Sequence, residues 1–218
     1  MERVSGRLIA WASLVGALSL LLYVQRFSGE KPPRNAIYQW STAVSELVLF
    51  GFILGIVLLI ARGLPLRQTF ALRPPSSWRR AAAIAAGVFI GIDVLTAVLT
   101  PLLHPGAEQG LAPKAWQPAH AGAFALNALA LALVGPIVEE LTFRGLGFRL
   151  LERYGRTSAI VGIGIAFGLW HGLIEAFPVL AAFGVGLAYL RARTGSLYPC
   201  IALHALFNGV ALAVAVAA

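Results

Sequence analysis

Residues 121–145 read AGAFALNALALALVGPIVEELTFRG, an uncharged run from Ala121 to Val138 that ends on Glu139 and Glu140, with Arg144 one helical turn beyond. A run of this length crosses the hydrocarbon core of a bilayer. Ionisable groups inside a span cost about 2.5–3.5 kcal/mol each on insertion scales, so they persist mainly where they act. Whether the chain is a membrane protein, and where its chemistry sits, both turn on this stretch.

The rest of the sequence is of the same kind. Of its 218 residues 59% are hydrophobic and 12% charged, against about 45–50% and about 25% in soluble domains. Seven segments are long and apolar enough to be spans: roughly 8–24, 41–61, 81–103, 121–151, 157–174, 177–192 and 196–217. The expected fold is all-α, a polytopic transmembrane helix bundle of about seven spans. Residues 1–118 supply three N-terminal membrane helices, and 119–218 supply a four-span core that holds the chemistry. The first span follows a basic start, MERVSGR, but no small-residue cleavage site ends it, so it reads as a retained anchor. The single cysteine, Cys200, excludes an intrachain disulfide.

A formal net charge of +8 suggests nucleic acid until the charges are placed. With the N-terminus inside, thirteen Lys and Arg residues fall in the inner segments, in groups around Arg3, Arg62–Arg80, Arg144–Arg156 and Arg191–Arg193. Four fall outside: Arg26, Lys31, Arg34 and Lys114. This asymmetry is the positive-inside pattern, and it predicts an N-inside multi-pass protein whose basic loops face anionic headgroups. The expected partners are therefore membrane lipid and a peptide or protein, with no nucleic acid. The expected location is a bacterial cell membrane.

Three polar clusters interrupt the apolar pattern: Glu139, Glu140 and Arg144; Phe167 and His171; His204 and Asn208. Each pair four residues apart shares a helix face, so Glu140 can pair with Arg144, and His204 and Asn208 project together. Glu139 lies 16 residues before Gly155 and His171 lies 16 after it. In an antiparallel helix pair turning there, both stand about 24 Å from the turn at 1.5 Å per residue. His204 lies 9 residues past the turn expected at Gly195, about 14 Å by the same arithmetic, so its alignment requires tilt or turns at different heights. Pro136 is expected to kink the fourth span. Three pairs of glycines four apart, Gly51 and Gly55, Gly87 and Gly91, Gly164 and Gly168 (continuing to Gly172), suit close helix packing. Glu46 and Asp93 also fall within spans, where an interhelical polar contact is the ordinary expectation.

Two carboxylates, two imidazoles and an amide in a low-dielectric pocket suit amide hydrolysis. A carboxylate tuned by burial and a nearby cation works as a general base. N–H donors aimed at the tetrahedral oxyanion contribute about 3–4 kcal/mol each. No serine or cysteine belongs to the cluster, so the nucleophile would be water. Glu139, His171 and His204 would also make a His₂Glu zinc set. The absence of HExxH and the donor character of Asn208 favour a site without metal or other cofactor.

The motifs EExxxR at 139–144, FxxxH at 167–171 and HxxxN at 204–208, in this order on late spans, resemble those of the CPBP intramembrane protease family. That family includes the type II CAAX prenyl proteases and bacteriocin-processing or immunity proteins. RTGSLYP at 193–199 is similar to the family's usual lead-in to the last motif, and the resemblance covers roughly residues 120–212. It implies that Glu139 acts with His171 on the attacking water, that Glu140 supports the site beside Arg144, and that His204 and Asn208 form an oxyanion hole. Phe167 would wall the site. Members have often been called metalloproteases, yet the resemblance to the prenyl proteases implies a metal-free, glutamate-dependent mechanism, with a metallo-endopeptidase as the alternative. Two other functions compete with endopeptidase: a non-proteolytic scaffold or immunity factor that only binds a peptide, and a proton-coupled transporter. A pure binder needs no buried water-activating pair. Transporters often carry repeats in both halves, whereas these polar residues crowd into the second half.

Overall fold

The computed structural model describes residues 2–29, 35–103 and 116–217. Lys31, Arg34 and Lys114, three of the four basic residues expected outside, lie beyond the described residues.

Among the described residues the chain is helical and contains no strand. Seven long helices follow one another: α1 Glu2–Phe27, α2 Trp40–Ile60, α3 Trp78–Leu103, α4 Pro118–Tyr154, α5 Arg156–Trp170, α6 Phe177–Thr194 and α7 Tyr198–Ala217. Five of them, α1, α2, α3, α4 and α7, are long and apolar enough to cross a membrane. At 15 residues, α5 is apolar but short, and the 18-residue α6 carries Arg191 and Arg193 in its last turn. The protein is thus an all-α polytopic bundle whose seven helices coincide with the seven expected segments.

The basic loops gather at one end. An Arg7 guanidinium N–H donates to the Arg62 carbonyl (2.9 Å), Arg153 donates to Ser5 Oγ (3.4 Å), and Arg73 Nε donates to the Gly195 carbonyl (2.8 Å). The Leu197 N–H also bonds the Ala71 carbonyl. These contacts tie the start of α1, the α2–α3 loop, the α4–α5 turn and the α6–α7 turn together. Two of the thirteen arginines assigned to inner segments do not face headgroups: Arg144 is fully buried and Arg191 nearly so.

The α4–α5 turn forms where the sequence placed it. Gly155 takes φ 107°, a conformation that side chains rarely adopt, and α5 begins on the next residue. The closest pairing in the bundle is α5 along α6, and its cause is glycine. A Cβ on Gly164 would meet the Val185 backbone nitrogen at 2.7 Å, one on Gly168 would meet that of Ala181 at 3.0 Å, and one on Gly184 would meet Gly164 Cα at 2.8 Å. By contrast, a Cβ on Gly51, Gly55, Gly87 or Gly91 meets nothing within 4 Å, so the same spacing there serves no packing within the chain. Gly164→Ala should therefore cost about 1–3 kcal/mol by overpacking. Gly51→Ala should be neutral or slightly stabilising, since alanine is the better helix former. Unfolding midpoints in one detergent compare the two, and equal midpoints would contradict the assignment.

Although one continuous rod, α4 is not uniform. Ala130–Val134 and Leu141–Gly147 are π-helical, flanking the α-helical turn Gly135–Glu140. Pro136 explains the first segment. Its ring clashes with a carbonyl one turn back and it offers no N–H, and a wider turn relieves both. Near its start, α4 is pinned by Asn127, a buried amide within the apolar run that donates to the Ile37 and Gln39 carbonyls ahead of α2.

Candidate active site

The three polar clusters meet in one place. Glu139 and Glu140 come from the α-helical turn between the two π segments of α4, His171 from the end of α5, and His204 and Asn208 from α7. His204 joins them: its Nδ1 is 2.9 Å from Glu140 Oε1 and its Nε2 is 3.8 Å from Glu139 Oε2. His171 lies within electrostatic range of Glu139, His204 and Arg144. The expected difference in depth between His204 and Glu139 is absorbed. Part of the reason is that π turns hold more residues each, which shortens α4 between Gly155 and Glu139.

The two glutamates have different surroundings. Glu140 is fully buried, and its Oε1 accepts from both Arg144 NH1 (2.9 Å) and His204 Nδ1. Arg144, equally buried, also donates through NH2 to the Gly184 carbonyl of α6 at 3.0 Å, and its guanidinium carbon lies 4.3 Å from the centre of the Phe167 ring. The side chain of Glu139 keeps 13% exposure and has no arginine partner among the described residues. One carboxylate is therefore locked into an ion pair and the other remains accessible.

The two imidazoles are oriented from behind. His171 closes α5, Gly172 after it stops the helix at φ 63°, and His171 Nδ1 lies 2.8 Å from the Phe167 carbonyl. A carbonyl only accepts, so Nδ1 carries the proton and Nε2 of the neutral ring is left with its lone pair. Phe167, fully buried, stands edge-on to His171 at 4.7 Å, to His204 at 5.5 Å and to Phe143 at 5.4 Å. It is the wall expected from the sequence, and it is also the surface on which Arg144 lies. Phe183 of α6 faces His204 at 5.5 Å and stacks on Phe207 at 4.5 Å.

Asn208 is held by the consequence of a proline. The Gly135 N–H bonds Ala130 O in π fashion. The next carbonyl, Leu131 O, would take its bond from residue 136, and proline has no N–H. Asn208 Nδ2 supplies the missing donor at 2.9 Å, which leaves its second amide hydrogen free. Asn208→Ala should accordingly cost about 1–2 kcal/mol, as for an acceptor left unpaired. In a Pro136→Ala background, where the backbone can bond Leu131 O itself, the same change should cost less. Thermal unfolding of the four proteins tests the coupling, and strictly additive losses would refute it.

Several contributors had no signal in the sequence. Trp11 of α1 donates from Nε1 to the Thr142 carbonyl in the second π segment at 2.9 Å. Gly145 and Gly147 leave room for the Phe70 and Trp11 rings. Only the clustering of glycines in FRGLG hinted at close approach there. Glu46 and Asp93 do not join the site: Asp93 is exposed on the outer face of α3, and Glu46 Oε2 is buried on α2 with no partner among the described residues. The interhelical contacts expected of them are not formed among the described residues. Among the described residues no three His, Cys, Asp or Glu side chains stand together at metal-ligand spacing.

Residues 121–210 match a family model, that of the Rce1-like type II CAAX prenyl endopeptidases. The match begins at the apolar run of α4 and ends just past Asn208, and so encloses all three motifs. No curated protein and no solved structure matches the chain.

Proposed function

We propose that this chain, whose residues 121–210 carry the Rce1-like type II CAAX prenyl endopeptidase domain, cleaves a peptide bond of a membrane-associated peptide or protein with water activated by Glu139 and His171. The observation that carries the reading is the convergence of His204 on both glutamates from a helix 64 residues away in the chain.

The accessible Glu139 takes a proton from water, while His171 Nε2, unprotonated and fixed by the Nδ1–Phe167 bond, accepts the water's other hydrogen bond. The water oxygen attacks the scissile carbonyl carbon. The resulting oxyanion is met by His204 Nε2–H and the free amide hydrogen of Asn208. The proton held by Glu139 passes to the leaving nitrogen as the C–N bond breaks, which returns the carboxylate. His204 serves as an oxyanion donor when both of its ring nitrogens carry hydrogen, Nδ1–H being held by Glu140. Glu140 touches no reacting atom in this scheme; it positions His204.

Glutamate-dependent hydrolysis without a metal is the form proposed, on the partly exposed Glu139 and the donor character of Asn208; zinc held by Glu139, His171 and His204 is the alternative. The test uses the purified protein in proteoliposomes with two reporters, a farnesylated CAAX peptide and an unmodified membrane-anchored peptide, each with and without a strong chelator. Cleavage of either reporter that survives chelation is the expected result. Cleavage abolished by chelation and restored by zinc would replace Glu139 chemistry with metal chemistry. Binding of both peptides with cleavage of neither would favour the scaffold reading. The N-inside orientation remains part of the proposal. It would put the clustered basic end in the cytoplasm, where cysteines introduced at Arg62 and Arg153 should resist labelling from outside intact cells.

A further inference from the structure

Away from the site, α3 and α7 are separated by a groove of about 560 Å³ with an almost wholly apolar lining, including Trp78, Ala82, Phe89 and Ile90 of α3 and Ala202 and Leu206 of α7. Ala82, Ile90, Ala202 and Leu206 are exposed, so the groove opens sideways onto the surroundings of the bundle. We propose that it holds one acyl chain of an anionic phospholipid from the leaflet at the basic end, with the phosphate held by Arg79 and attracted by the neighbouring charge of Arg80.

Length, lining and charge select this occupant. From Trp78 to Ile90 the groove runs 12 residues along α3, about 18 Å. One leaflet's share of a hydrocarbon core about 30 Å thick is about 15 Å. The lining is almost wholly apolar, so an extended peptide would leave most of its N–H and C=O groups unpaired there. At the mouth, Arg79 and Arg80 are exposed in the first turn of α3, and their guanidinium groups have no hydrogen-bond or ion-pair partner among the described residues. Arg79 shares a helix face with Ala82 and Ala86, which places its cation over the groove. Exposed Trp78 beside them is the aromatic residue typical of a headgroup boundary.

The groove also reaches the site from behind. Leu203 directly precedes the buried His204 on α7, and Phe89 meets Phe207 edge-on at 5.9 Å. Phe207 stacks on Phe183, which faces His204. A chain in the groove would thus brace the column of rings behind the imidazole. This effect on activity rests on the proposed hydrolysis, whereas lipid binding does not.

The test is electron paramagnetic resonance of chain-labelled phosphatidylglycerol and phosphatidylcholine with the full protein in phosphatidylcholine vesicles. Phosphatidylglycerol should be immobilised preferentially, with the preference falling about five-fold per arginine in Arg79→Gln and Arg80→Gln, as expected for about 1 kcal/mol per charge. Ala202→Trp, and Ala86→Leu should the tryptophan impair folding, should reduce the immobilised fraction by filling the groove. Equal immobilisation of both lipids, selectivity kept without the arginines, or a label insensitive to both groove fillings would overturn the assignment. So would displacement of the label by a farnesylated peptide, which would give the groove to a substrate tail, or a dimer lost in Ala202→Trp, which would give it to a second chain. Repeating the measurement on Glu139→Gln, where lipid selectivity should persist, separates failure of this inference from failure of the hydrolytic one.

Discussion

Glu139→Gln is expected to remove cleavage of any reporter by about 10²–10⁴-fold, the usual contribution of a positioned general base, while the protein still folds. The substitution keeps the shape of the side chain and deletes only its capacity to take a proton. Stability should change little because the fold does not lean on this carboxylate. It has no arginine partner among the described residues, keeps 13% exposure, and stands 3.8 Å from His204, beyond hydrogen-bond distance. Glu140 provides the contrast. Glu140→Gln removes a charge that holds Arg144 and His204 together, so it should lower stability and activity at once. The measurements are kcat/KM on the reporter and the unfolding midpoint for each variant. Cleavage by Glu139→Gln within tenfold of wild type, at an unchanged midpoint, would remove Glu139 from the chemistry. A collapsed midpoint would show it to be structural.

The difference between the two glutamates shows what the sequence discloses and what it withholds. That the residues at 139, 171 and 204 meet was legible, because helical spacing and one turn glycine fix relative depth along antiparallel rods. Gly155 turns the chain where that arithmetic required. That Glu140 could pair with Arg144 was legible from their spacing of four, but that Glu139 keeps exposure while Glu140 is sealed was not. That depends on rotation about the α4 axis, and two π segments alter the rotation. Apolar periodicity carries no mark of a π turn; Pro136 was the single sign, and it suggested only a kink. Arg144 was similarly ambiguous. Its position after a long apolar run placed it among the basic loop residues, yet it is buried beneath Phe167. Glycines four apart looked alike at 51 and 55 and at 164 and 168, and only the second pair packs within the chain. In a lipid solvent, apolar residues are needed both inside and outside the bundle, so composition does not say which face of a helix is which.

Arg144→Met should be strongly destabilising, by about 3–5 kcal/mol, the cost of breaking a buried ion pair by removing one partner. The guanidinium joins three helices: NH1 to Glu140 on its own α4, NH2 to the Gly184 carbonyl of α6, and its plane against Phe167 of α5. Methionine replaces only the volume. It would leave the Glu140 carboxylate buried with His204 as its sole partner and the Gly184 carbonyl without this donor. Lysine is a poor substitute, because one ammonium cannot reproduce a planar fork that bonds in two directions while lying on a ring. If the damage comes from the orphaned charge, neutralising it should recover stability. The Glu140→Gln/Arg144→Met double variant should therefore be more stable than Arg144→Met alone, although still inactive because His204 loses its anionic anchor. Unfolding free energies of wild type, both single variants and the double in one mixed-micelle system decide the matter. A loss below about 1 kcal/mol in Arg144→Met, or a double variant no more stable than that single, would mean that the pair does not hold the site.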